Sequence, residues 1–356
     1  MSRVTMQQIA DQLGISQSTV SRVLSGQSKE TWGSMVTRAE HIRRTAAQMG
    51  YRKNAAAASV RRGRFGSVAF MLASQWGRSS FNARLVDSLH DHLEERKLQL
   101  TITRPRRMPD GAISIPRTLR HLMVDALLIQ HANALPRHVV EAVEDHPCPA
   151  VWLERRSDHD SVMHDEAGAS RRLTEHLLGL GHRRITLVDY YEPQHYGQIP
   201  HLAPQIQAER RGGYVAAMEA AGLTPRIIDM QTYRDVSNDW LELSRHWLAD
   251  PADRPTAVIQ CQGLQTITAA LERGLKLPRD LSYAAFVRDR AEDQTGLYVS
   301  AVYQNNEGLA AAAVEMLLNK IKSPDTPIPS RRVEHTFFEG RTMARLEPTL
   351  LSEDRT

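Results

Sequence analysis

Residues 4–24 read Val4-Thr5-Met-Gln-Gln-Ile9-Ala10-Asp-Gln-Leu13-Gly14-Ile-Ser16-Gln17-Ser18-Thr19-Val20-Ser21-Arg22-Val23-Leu24. This spacing predicts two short helices joined by a tight turn. Ile9, Ala10 and Leu13 fall on one face of the first helix, and Val20, Val23 and Leu24 on one face of the second. Gly14 stands where a helix ends in a left-handed residue, and Ser16 is placed to cap the helix that follows. The outward positions of the second helix are Gln17, Ser18, Ser21 and Arg22, three short polar groups and one guanidinium with no acid among them. Hydrogen bonding to base edges and phosphates in a major groove requires that chemistry. An ordinary helical hairpin on a protein surface has the same backbone pattern, so the motif alone leaves two readings open.

Charge separates them. Residues 1–64 carry eleven Lys and Arg against three Asp and Glu, a net of +8, whereas the whole chain carries +4. The remaining residues therefore sum to −4. A basic head on a mildly acidic body implies a polyanion partner for the head alone.

The chain's 356 residues exceed one typical domain, and a 41% hydrophobic share is ample for more than one core. The cysteines are two, Cys148 and Cys261, too few for a metal cluster and expected to stay reduced. The polar start Ser2-Arg3-Val4-Thr5 has no apolar signal core, and no run of 18 apolar residues occurs later. A cytoplasmic protein without membrane contact is expected.

After the hairpin, a polar loop from Ser25 to Ser34 precedes a third helical pattern from Val36 to Met49, whose stripe Ile42, Ala46 and Met49 can close a three-helix head. Residues 51–64 form a linker too short to be a stable helix alone, and able to fold on DNA. From Gly66 the pattern changes to strands alternating with helices. Ser67–Leu72, Leu98–Thr103, Ala126–Gln130, Ala150–Leu153, Arg184–Val188, Ala257–Gln260 and Ser282–Val287 are the strand candidates. The helices between them include Phe81–Lys97, Ala169–Leu180, Glu209–Ala221, Asp239–Ala249 and Thr266–Arg273. This alternation specifies doubly wound parallel sheets with a ligand crevice at the carboxyl ends of the strands. Residues 65–345 have room for two such lobes; Leu309–Ile321 and the extended Val333–Glu339 are expected to close the second. Residues 346–356 read as a loose tail, and no heptad pattern after Arg341 points to a tetramerising coiled coil.

Val4, Thr5, Ile9, Ala10, Gly14, Ile15, Ser16, Thr19, Val20, Ser21, Arg22, Val23 and Leu24 match the opening motif of the lactose-repressor (LacI) family, which the chain resembles over nearly its full length. The resemblance implies an all-α helix-turn-helix head (1–50), a hinge helix (51–64) and an α/β body (65–345) of two doubly wound lobes like periplasmic binding proteins. It implies a homodimer that binds a pseudo-palindromic double-stranded DNA operator, with no cofactor. By position, Gln17, Ser18 and Arg22 choose the sequence, and Ser16, Thr19, Ser21 and Ser25 hold phosphates; Thr19 and Ser21 also fit plain helix packing. Thr5 and the hinge residues Asn54, Ala57 and Val60 complete the DNA-contacting set. Two departures stand out. Gln27–Gly33 reads as an inserted loop. Val60 replaces the Leu that the family wedges between base pairs, and its β-branch makes it a shorter wedge and a poorer helix former.

In the body, Arg171–Leu187, Arg210-Arg-Gly-Gly-Tyr214, Pro255-Thr-Ala-Val-Ile259 and Phe338-Glu-Gly-Arg-Thr342 resemble family landmarks. The resemblance places Arg210 on effector hydroxyls or carboxylates and Phe81 stacked on the ligand, with Tyr233 loosely matching a second aromatic. Each of the three also fits a structural role. Where the family carries a sugar-binding Asp, this chain has Val287, followed by Arg288. That exchange points to an effector poorer in hydroxyls or anionic, a sugar acid or sugar phosphate rather than a neutral sugar. Gln262, Asp289 and Gln304 are left to supply polar contacts, and the long segment Asp189–Gln207 is an expected cover. His159-Asp-Ser-Val-Met-His164-Asp165 lacks the partner spacing of a metal site. No hydrolase elbow or phosphate loop occurs. The expected function is a ligand-controlled repressor of carbohydrate catabolism, not an enzyme. A two-lobed sugar-binding protein and a DNA-binding architectural protein without ligand are the alternatives.

Overall fold

The computed structural model of the chain describes residues 4–25, 33–51, 64–72, 82–109, 112–120, 124–130, 135–189, 203–229, 239–261, 264–287 and 296–346. The chain divides into two compact units, Met1–Phe65 and Gly66–Thr356.

The first unit holds α1 (Met6–Leu13), α2 (Gln17–Ser25) and α3 (Gly33–Gln48). Thr5 opens α1 with a reciprocal cap: the Gln8 N–H donates to Thr5 Oγ1 at 3.3 Å, and the Thr5 N–H donates to Gln8 Oε1 at 2.9 Å. Gly14 ends α1 at φ 62°, a conformation that costs glycine little and lets α2 start two residues later. Ile9, Ala10, Val20, Val23, Ala39, Ile42 and Ala46 form one buried cluster. Helix α3 begins at Gly33, three residues ahead of the expected Val36, and so takes in part of the expected loop. The first buried position described in α3 is Ala39, so periodicity carries no signal for its opening turn.

The second unit contains β1 (Ser67–Met71), α4 (Ala83–Glu94), β2 (Gln99–Thr103), the two-residue strands β3 (Arg106–Arg107) and β4 (Ile113–Ser114), α5 (Arg117–Arg120), β5 (Ala126–Gln130), α6 (Arg137–Glu144), β6 (Ala150–Leu153) and β7 (Ser161–His164). It continues with α7 (Glu166–Gly179), β8 (Ile185–Asp189), α8 (Ala203–Ala220), β9 (Arg226–Asp229), α9 (Trp240–Trp247), β10 (Ala257–Gln260), α10 (Gln265–Glu272), β11 (Ser282–Val287) and β12 (Ser300–Tyr303). Helix α11 (Asn306–Lys322), β13 (Arg331–Val333) and β14 (Thr336–Phe338) end the described elements.

Two six-stranded sheets result, β13-β7-β6-β5-β1-β2 and β14-β12-β11-β10-β8-β9. Every pairing in them is parallel except β12 with β14. Helices cover both faces, as parallel sheets require. In the first lobe Val68, Phe70 and Leu128 pack with α4 and α11, while the alternate residues Ala69, Met71, Leu127 and Ile129 pack with α6. In the second, Leu187, Ile259 and Ala284 pack with α7 and α8, while Val188, Val258 and Tyr283 pack with α9 and α10. Strands β5, β6, β10 and β11 occupy the residues expected from their apolar runs.

The expected closure of the second lobe is corrected. Helix α11 packs on the first lobe, its Leu309, Ala313 and Leu317 joining the cluster of Val68 and Phe70. The expected extended piece Val333–Glu339 divides, β13 pairing with β7 in the first sheet and β14 with β12 in the second. Among the described residues the chain therefore crosses between the lobes three times, after β7 at Asp165, after β12 at Gln304 and Asn305, and after β13 at Glu334 and His335. An apolar helix facing a sheet looks the same in sequence whichever sheet it covers, so the pattern does not encode the crossing.

Candidate nucleic-acid interface and ligand crevice

Helix α2 presents two faces. Val20 and Val23 are buried against the first unit's core, and Ser16, Gln17, Ser18, Arg22 and Ser25 are exposed. Thr19 and Ser21 are half-buried at the edge between them. Ser16 caps the helix, its Oγ accepting from the Thr19 N–H at 3.3 Å and lying 2.9 Å and 2.8 Å from the Ser18 and Thr19 hydroxyls. The Ser25 hydroxyl donates to the Arg22 carbonyl at 3.1 Å. The Ser16, Ser18 and Thr19 hydroxyls thus sit at the helix start, where free N–H groups already favour an anion, and Ser25 sits at its end. Arg22 and Gln17 are exposed on the same element. Such a surface can hold phosphates with its short groups and read bases with its long ones.

In the body, Arg210 lies on α8 with only 12% of its side chain exposed. Its Nε donates to Glu166 Oε2 at 2.7 Å, its Nη1 donates to the Cys261 carbonyl at 3.2 Å, and the guanidinium lies 4.2 Å from the centre of the Phe286 ring. Glu166 is the first residue of α7 and fully buried. Burial pushes its carboxyl up, but Arg210 and then His335 outweigh that and hold it well below the usual carboxylate range. Burial likewise works against the Arg210 charge, and Glu166 more than restores it. The next residue, Arg211, donates to Asp189 at 2.6 Å and lies 3.3 Å from Asp229. Burial raises the Asp189 carboxyl despite that pairing. Gln304, on the second crossing, borders a cavity of about 420 Å³ together with Arg84, Asp87, Tyr303 and Glu307.

A periplasmic binding protein-like domain model matches residues 174–343. The catabolite repressor/activator of Escherichia coli K12 is 24% identical over 349 residues, covering 96% of this chain and 99% of that protein. The ribose operon repressor of Haemophilus influenzae is 24% identical over 327 residues, covering 90% of this chain and 93% of its own. The crystal structure of the Lac repressor bound to ONPG in the repressed state superposes with a TM-score of 0.71 at 17% identity, over 96% of this chain and all of that one. The chain is thus similar over nearly its full length to transcriptional repressors, and it shares the fold of the Lac repressor. These relatives are, by name, regulators of transcription.

The described residues include Thr5, Ser16, Gln17, Ser18, Thr19, Ser21, Arg22 and Ser25 of the expected DNA-contacting set, all on or next to α1 and α2. Asn54, Ala57 and Val60 of the hinge lie outside the described residues, as do Phe81, Tyr233, Gln262 and Asp289 of the effector set and most of the inserted loop and of the expected cover. Arg210 and Gln304 are described, and they occupy separate surroundings, the first among Glu166 and Phe286 and the second beside the start of α11. Sequence reasoning missed Glu166, Glu154, His164 and His335, which are all buried. His164, part of the string weighed as a metal site, instead ends β7 and donates from Nδ1 to Glu154. Among the described residues no group of three or more His, Cys, Asp or Glu is placed to hold a metal ion, and no helix is long and apolar enough to cross a membrane.

Proposed function

We propose that this chain is a homodimeric repressor of carbohydrate-catabolism genes that binds a pseudo-palindromic operator through α2 and releases or takes up DNA when a small sugar-like effector enters the crevice between its lobes. The observation that carries the reading is the exposed, acid-free face of Ser16, Gln17, Ser18, Arg22 and Ser25 on a helix anchored by Val20 and Val23. Gln17 reads adenine and Arg22 guanine in two-hydrogen-bond contacts, each supplying about 1–3 kcal/mol of discrimination. Two such heads related by a two-fold axis meet half-sites about one helical turn apart. The hinge residues Asn54, Ala57 and Val60 add minor-groove contacts, Val60 as a shorter wedge than Leu.

The effector contacts Arg210, Phe81, Tyr233, Gln262, Asp289 and Gln304 in this reading. The Arg210 charge is already balanced by Glu166, so an anionic effector draws its counter-charge from Arg288, and a neutral sugar uses the remaining Arg210 N–H groups. The effector acts by favouring one lobe arrangement over another. The test is operator selection from random DNA, then a thermal-shift screen of sugars, sugar acids and sugar phosphates with DNA titrations repeated for each hit. A stabilising ligand that changes operator affinity is expected. Tight DNA binding with no stabilising ligand in the panel would leave a ligand-independent DNA binder, and a ligand without any DNA binding would leave a sugar-binding protein.

A further inference from the structure

Of the three crossings between the lobes among the described residues, two are flanked by buried ionisable groups. His164 ends β7 just before the first crossing, Glu166 opens α7 just after it, and His335 lies on the third; their side chains are at most 1% exposed. Ionisable groups are rarely buried this fully unless they are paired. These are linked in series across the boundary. Glu154, at the end of the first lobe's β6, accepts from His164 Nδ1. The His164 and His335 rings stand 5.0 Å apart at 52°. His335 Nε2 is 3.5 Å from Glu166 Oε2, and Glu166 accepts from Arg210 of the second lobe. Glu154 is held at φ 67°, a backbone region unfavourable to a side-chain-bearing residue. Its conformation therefore costs something that its pairing with His164 and Arg156 must offset.

The charges along this series do not cancel unless a proton is bound. Glu154 and Glu166 carry two negative charges and Arg210 one positive, so a single proton on His164 brings the series to neutrality. The charged groups packed around it make ion pairs of their own. Arg156 joins Glu154 at 3.1 Å to Glu209 at 2.7 Å, and Arg332 also reaches Glu209 at 3.3 Å. Asp165 lies 3.7 Å from Arg172 and 4.0 Å from Arg332, and Glu334 lies 3.8 Å from Arg172. Arg211 meets Asp189 and Asp229. Against His335 stands the edge of the Phe286 ring, which brings no charge. Burial opposes a charged imidazole at His164, but Glu154 outweighs it, with further help from Glu166 and the Asn305 backbone, and the proton is held more tightly than by a free imidazole. The sign follows: this proton stabilises the fold fully below the ordinary histidine range, and its contribution is lost as the pH rises through the raised value.

We propose that His164, hydrogen-bonded to Glu154 and packed against the His335 ring, is a proton-operated latch between the lobes: its bound proton holds the lobe arrangement described above, and its release loosens the crossings. The latch belongs to the body alone and does not depend on what the head or the crevice binds. In a regulator switched by lobe arrangement it makes the switch respond to pH over the imidazole range, roughly pH 6–8.

The test uses the full chain with spin labels at Glu141→Cys on the first lobe and Glu219→Cys on the second, in a Cys148→Ser background and diluted with unlabelled chain, at about pH 6 and about pH 8.5. The separation between labels is expected to shift or broaden at the higher pH, together with a fall in the denaturation midpoint, and both changes are expected to vanish in His164→Gln. An unchanged separation in the wild-type histidine background, or an equal change in His164→Gln, would overturn the latch. Should His164→Gln fail to fold, nitrogen-15 spectra of the wild-type histidines decide: the His164 ring must titrate at the pH where the separation changes, and titration elsewhere overturns it. No DNA or effector enters the measurement, so its outcome is separate from that of the proposed function.

Discussion

The three-helix head and the lobe boundary of the body place their polar groups in opposite ways. In the head, the buried cluster around Ile9, Val20 and Ile42 is apolar, and the side chains proposed to contact DNA lie outside it on α2. At the boundary, Glu154, His164, Glu166, Arg210 and His335 are buried or nearly so, and each lies against another of the set. The head can thus lose a surface residue and keep its fold, while the boundary ties folding to function. Surface groups that meet a partner only on binding cost the free protein little, whereas a buried ion deprived of its partner destabilises the protein by itself.

That contrast ranks the expected effects. Glu166→Ala leaves the Arg210 guanidinium buried without its counter-ion, and a loss of about 3–5 kcal/mol in denaturant unfolding of the body is expected; a loss under about 1 kcal/mol would show that water reaches Arg210 and that the boundary is no different from the head. Acid sharpens the same point. Glu154 and Glu166 are held below the usual carboxylate range, so their contribution is present above the ordinary value, about pH 4.3, and disappears as the pH falls through the lower folded values. Ile9→Ala removes a fully buried side chain from the small head core. A loss of about 2–4 kcal/mol is expected there, read as loss of DNA binding with the body's unfolding transition unchanged; a shift of the body transition would contradict two independent units. Thr5→Ala removes the α1 cap, and about 1 kcal/mol is expected from the head's unfolding curve. At the bottom of the scale stands the exposed pair Arg137–Glu141, 2.7 Å apart with 92% and 50% of the side chains exposed. Glu141→Ala is expected to change stability by less than about 0.5 kcal/mol; a cost comparable with Glu166→Ala would abolish the distinction between buried and exposed charge.

The same contrast governs what could be read from the chain. The head was legible because its signals are local: Gly14 turns, Ser16 caps, and Val20 and Val23 repeat at helical spacing. Strands β10 and β11 were legible as short apolar runs. The short strands β7, β9 and β12 were not, because Ser161-Val-Met-His164, Arg226-Ile-Ile-Asp229 and Ser300-Ala-Val-Tyr303 mix polar with apolar residues and are too brief to show a period. Helix α6 was passed over although Val139 and Val143 repeat on one face. The ion pairs of the boundary join residues far apart in sequence, Glu166 with Arg210 and His335, and only the three crossings bring them together. No local pattern specifies such partners. Arg210 was singled out by family resemblance, and Glu166, which balances it, had no comparable signal.

The most direct test of the account is the affinity of the chain for an operator selected from random DNA, measured by fluorescence anisotropy at fixed salt for the wild type and for Arg22→Ala. The account predicts a loss of about 1–3 kcal/mol, roughly five- to 150-fold in Kd, with an unchanged unfolding curve and relaxed preference at the base that Arg22 contacts. Equal affinity and equal preference for both proteins would contradict the assignment of α2 as the element that reads DNA.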